Sequence, residues 1–95
     1  MMDSEDRGEL IEQVEAFRAV DETIKTAGWQ KFLLPRFERL KGGHQSALLN
    51  ATELPDVIRA QEGIKAIEML ITDINICIQE GKEAIDLLAK EKDND

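Results

Sequence analysis

The sequence predicts an all-α fold, a three-helix arrangement whose long C-terminal helix packs on the others in the manner of a helical hairpin or coiled coil. Three observations predict it. Apolar residues recur three and four positions apart through most of the chain, and Pro35 and Pro55 fall where helices would begin. The one run that alternates like a strand, Ile74, Ile76 and Ile78, has no second strand candidate to pair with. At 95 residues there is room for a single helical domain, 1–95, with 1–5 and 92–95 expected as frayed tails. One Cys, two Pro and six Gly exclude a disulfide-stapled, collagen-like or low-complexity chain. A chain this short buries only about 60% of the surface its unfolded form exposes, which raises the expectation of self-association.

The first helix is expected to start near Asp6, which with Glu9 resembles a capping box. Leu10, Val14, Phe17, Val20, Ile24 and Ala27 then form one stripe, with Glu12, Glu15, Arg18, Glu22 and Lys25 largely outside it, and Gly28 is expected as a left-handed C-terminal residue. In the second helix Trp29, Phe32, Leu33, Phe37 and Leu40 keep helical spacing, interrupted only by Arg36. Pro35 favours a start between Gln30 and Leu34, because an earlier start would demand a kink. The apolar phase survives Gly42 and Gly43, so the second helix is expected to run to Asn50, the alternative being a turn at the glycines.

Thr52 is placed to cap the third helix, with Pro55 in its first turn and Asp56 near the positive end of its dipole. From there Val57, Ala60, Ile64, Ile67, Ile71, Ile74, Ile78, Gly81, Ile85 and Leu88 step by three and four without a slip, Gly81 being the only member that is not apolar. The predicted span, Glu53 to Glu91, is about 39 residues or nearly 60 Å at 1.5 Å per residue, whereas the first two helices reach about 30 Å each. If each helix packs on the next, half of the third helix is left over. Either it folds back near Gly81, or a second copy covers Ile71, Ile74, Ile78, Ile85 and Leu88. Ile at both core positions of a heptad is associated with assemblies larger than a dimer.

Charge is segregated along the chain. Residues 1–28 carry three basic and eight acidic groups, 29–51 four and one, and 52–95 five and eleven, giving −5, +3 and −6 within the formal −8. The basic middle interleaves Lys31, Arg36, Arg39, Lys41 and His44 with Trp29, Phe32 and Phe37, which makes Trp29, Lys31, Arg36 and Arg39 candidate partner-binding residues. Such interleaving could bind single-stranded nucleic acid, but the rings also account for a core stripe, the cations complement acidic helices beside them, and net negative charge opposes nucleic acid. Glu5, Glu9, Glu12 and Glu15, with Asp21 and Glu22, form an acidic helix surface that would suit either solvation or mimicry of a phosphate backbone.

Little in the sequence points to catalysis. There is one His, one Cys and no Tyr, no nucleophile elbow and no phosphate-binding glycine loop. His44 reads as a partly buried packing residue and Cys77 as a small buried hydrophobe. No catalytic, cofactor-binding or metal-binding residue is expected, and Asp73-Ile74-Asn75 is too brief for a calcium loop. Nothing singles out Glu62, Glu68 or Asp73 for acid–base work. The acidic start, Asp3, Glu5 and Asp6, is unlike a signal peptide and no apolar run is long enough to span a bilayer, so a cytoplasmic protein without membrane contact is expected.

Two stretches carry a resemblance: Gly28-Trp29-Gln30-Lys31-Phe32-Leu33-Leu34-Pro35-Arg36-Phe37, and Leu54-Pro55-Asp56-Val57-Ile58-Arg59-Ala60-Gln61-Glu62-Gly63-Ile64-Lys65-Ala66-Ile67. A Gly-Trp entry to a helix, then a Gln-x-Gly-Ile-x-x-Ile/Leu register opening a long helix, is similar to small acidic helical accessory proteins of tailed bacteriophages, of the kind encoded among head and portal genes. The motifs describe packing and carry over no active site. They imply a role in virion assembly or as an accessory factor, in host cytoplasm or virion. They also make Gly63 a close-approach position, against Trp29 or a neighbouring subunit. The expected function is a non-enzymatic interaction protein that self-associates through the Ile stripe, with a phage structural protein as a further partner. The alternative is a small acidic inhibitor of a host defence or nucleic-acid-binding protein.

Overall fold

The computed structural model describes residues 3–93, which contain α1 (Ser4–Ile24), a π-helical turn (Gly28–Leu33), α2 (Leu34–Asn50) and the long α3 (Leu54–Asp93). No strand occurs among the described residues, and α3 passes through Ile74 to Ile78 without interruption. The fold is all-α, as the periodicity requires. Packing gathers the helices into two compact units: α1 with α3 from Asp73 onward, and the segment Lys25–Thr72.

The helix ends differ in detail from the sequence expectation. The cap of α1 lies three residues ahead of Asp6, where Asp3 Oδ1 accepts the Asp6 N–H at 2.8 Å and the Asp3 carbonyl accepts from Arg7. At the other end Gly28 is not left-handed, for no described residue has positive φ. Thr26 re-caps the chain instead: its Oγ1 accepts the Trp29 N–H at 3.2 Å and its carbonyl accepts from Gln30 at 3.0 Å. Helical geometry therefore starts earlier than Pro35 favoured. The Leu34 N–H reaches back to the Trp29 carbonyl, five residues away, and this wide turn absorbs the misfit that Pro35, lacking an N–H, imposes on the ladder. The glycines at 42 and 43 do not break α2, which ends at Asn50 with Ala51 extended. Glu53, not Thr52, takes the capping position of α3, its carbonyl accepting from Asp56 and Val57 at 3.2 Å.

In the first unit α1 runs antiparallel to the end of α3. Arg7 meets Glu91 at 3.2 Å and Phe17 lies over Gly81, so the contacts advance along one helix as they retreat along the other. Val14 and Ala84 are the buried residues between them, at 7% and 0% exposure. A Cβ on Gly81 would meet the Phe17 Cβ and Cγ inside contact distance, which explains the non-apolar member of the stripe: it is the gap that admits the ring. The second half of α3 is therefore covered from within the chain, contrary to the expectation that it lacks an intrachain partner.

The second unit repeats the device. α2 runs antiparallel to the start of α3, with Lys41 Nζ 3.2 Å from Glu68 and the His44 ring over Gly63, where a Cβ would stand 2.6 Å from the imidazole atoms. Gly63 is thus a close-approach position, but the group that approaches is His44 and not Trp29. Ala60 is buried at 2% exposure, and Trp29 packs on Phe37 with ring centroids 5.9 Å apart and tilted by 55°.

These contacts set expected stabilities. Gly81→Ala should destabilise the protein by about 1–3 kcal/mol, since the Phe17 Cβ cannot move without its backbone, whereas Gly42→Ala, with open space around it, should stabilise by up to about 1 kcal/mol; thermal melts followed by circular dichroism read both. Arg7→Ala should cost about 1–2 kcal/mol because the Glu91 side chain is only 16% exposed and its Oε2 already lacks a hydrogen-bond partner. Lys41→Ala removes a more exposed pair and should cost less than about 0.5 kcal/mol in the same melts.

Candidate interaction surfaces

Three surfaces carry the residues singled out from sequence. The first is the stripe of α3. Ile71, Ile74, Ile78 and Leu88 are each half-buried, and Ile85 is 39% exposed. The face that α1 covers is centred on Gly81 and Ala84, and Ile85 sits at its border. Ala84 is the most buried residue of the first unit and was missed by following the largest side chains. Its signal was present in the spacing of the small residues Cys77, Gly81 and Ala84, a low ridge onto which another helix can settle. With one partner helix on each part of α3, side chains at the seam are shielded from one side only.

The second surface is α2 and the turn before it. Trp29 is half-buried and packs on Phe37. Lys31, Arg36 and Arg39 are exposed. The Arg36 guanidinium stacks over the Phe32 ring at 4.7 Å, and Arg36 and Arg39 line a groove with Leu40, Gly43 and His44. Phe32 and Leu40 do not belong to the core stripe expected of them, being 57% and 51% exposed. The π-helical turn shifts Phe32 out of phase, and a single partner helix covers too narrow an arc to reach Leu40.

The third surface is the outer face of α1. Glu5, Glu9, Glu12 and Glu15 are exposed and pair with no cation among the described residues. Glu9 and Glu12 line a second groove with Gln13, Ala16, Cys77 and Glu80. Cys77 is a free, half-buried thiol rather than a fully buried one.

Charge divides between the units more sharply than along the chain. Residues 1–24 and 73–95 hold five basic and fifteen acidic groups, a net −10, and residues 25–72 hold seven and five, a net +2. The cations of α2 belong to the second unit. Their own partner segment, residues 54–72, has three acidic and two basic groups, and within it Glu68 engages Lys41.

His44 is a half-buried packing residue against Gly63. No group of three His, Cys, Asp or Glu among the described residues could hold a metal ion, and no helix among them is long and apolar enough to cross a membrane. Comparison with protein-family models, curated proteins and solved structures gives no match to this chain.

Proposed function

We propose that this chain is a non-enzymatic helical interaction protein that self-associates, a second copy lying over the open side of the seam along Ile71, Ile74, Ile78, Ile85 and Leu88. One observation carries this reading. The buried apolar residues are Val14, Ala60 and Ala84, none larger than valine, while Ile11, Ile58, Met69, Leu70, Ile76 and Leu87 are all more than 40% exposed. Two-helix layers that stack seam to seam make a four-helix core, for which Ile at both heptad positions is suited. The resemblance of the two quoted stretches supports a place for such an assembly in a phage virion or among its accessory factors.

Light scattering at tens of micromolar should give a multiple of 10.7 kDa. Ile85→Asp, at the border of the covered face, should lower that mass while helicity by circular dichroism persists; Ile78→Asp should do so with some loss of helicity. A clean monomer for the unsubstituted chain removes the reading.

A second reading is favoured by the exposed carboxylates Glu5, Glu9, Glu12 and Glu15 of α1: an acidic inhibitor that occupies the nucleic-acid site or another basic surface of a host defence protein. It requires a complex that weakens steeply with salt and disappears when Glu9, Glu12 and Glu15 are neutralised, so salt-insensitive capture would count against it.

A further inference from the structure

We infer that the basic face of α2 is a docking surface for the acidic α1 of a second copy of this chain. The inference rests on self-association but uses a surface separate from the Ile seam. Its first support is the division of charge: a unit at −10 and a unit at +2 in one chain leave each copy carrying both halves of a complementary pair. Pairing α1 with the end of α3, where residues 1–24 carry a net −6 and residues 73–95 a net −4, leaves repulsion in the first unit that cations from outside would relieve. Within the second unit Lys31, Arg36 and Arg39 form no ion pair, and α3 does not neutralise them.

Shape agrees with charge. The α2 groove combines two guanidinium groups, Arg36 and Arg39, with the exposed apolar surface of Leu40 and the open backbone of Gly43, around which no atom would meet an added Cβ. On α1 the exposed Glu9 and Glu12 stand beside the small side chain of Ala16, with Glu80 of α3 adding a third carboxylate nearby. Arg36 and Arg39 are three residues apart, as are Glu9 and Glu12, so both pairs are spaced by about 4.5 Å along a helix axis and can meet in register. Gly43 and Ala16 permit close backbone approach, and Leu40 and Phe32 supply apolar area that a free anion would not use. A helix with carboxylates and small side chains on one face fits this groove better than a nucleic acid strand, which a chain at −8 repels.

The test uses two full-length variants, Arg36→Glu/Arg39→Glu and Glu9→Arg/Glu12→Arg, all at exposed positions, with helicity checked by circular dichroism. The first sets a glutamate pair against the Glu9/Glu12 pair and the second an arginine pair against the Arg36/Arg39 pair, so each alone should self-associate at least tenfold more weakly than the parent chain in sedimentation velocity at 50 mM salt. An equimolar mixture should recover the parent mass, and 500 mM salt should abolish that recovery. Unchanged association of either variant, or no recovery on mixing, overturns the inference. So does a synthetic poly-glutamate peptide that binds the parent chain through Arg36 and Arg39 while self-association ignores the substitutions, since the occupant would then be a different acidic chain. Ile85→Asp separates the two claims: if it leaves the mass unchanged while the charge swap behaves as described, the seam is wrong and this interface stands.

Discussion

The fold depends on two close approaches, Phe17 over Gly81 and His44 over Gly63, each of which lets one helix settle onto α3 where a side chain would hold it away. Everything buried lies beside these points: Val14 and Ala84 next to the first, Ala60 near the second. Small residues draw the backbones together, and larger ones must therefore sit at the flanks. A pair of helices has no third element to shield those flanks. The Ile residues of α3 are left half in water for a geometric reason, and no choice of apolar side chain on α1 or α2 alone could change it.

Charge is arranged with the same division. The chain could have alternated its cations between the units, yet unit one holds five and unit two seven, against fifteen and five carboxylates. Within the first unit the exception is instructive, because Arg7 reaches a carboxylate, Glu91, that packing has largely removed from solvent. Glu5, Glu9, Glu12 and Glu15 face water. Segregation of this kind leaves each unit without internal charge balance, and on the proposal above that imbalance is relieved between unlike units of different copies.

The helical character and the length of α3 were legible in the sequence because heptad spacing is a local property that the structure merely obeys. The continuity of α2 through Gly42 and Gly43 was legible for the same reason. Pairing was not, since spacing along one helix does not say which other helix covers it, and even the end of α1 differs locally: Gly28 reads as a left-handed residue, whereas Thr26 caps the turn that follows and no described residue has positive φ. Ala84 escaped notice because the eye follows the largest residues, whereas close packing is decided by the smallest. Phe32 and Leu40 were read as core by their spacing, and only the π-helical turn and the narrow arc of a single partner helix explain their exposure. Of the candidate binding residues, the structure brings Arg36 and Arg39 into one groove and sends Trp29 to Phe37.

On the proposed function, the helices of this chain complete their core only against another copy. Mass action then ties stability to concentration. Thermal unfolding by circular dichroism at about 5 and about 500 μM chain tests this directly: the account requires the midpoint to rise by several degrees over that range, and the same midpoint at both concentrations would contradict it.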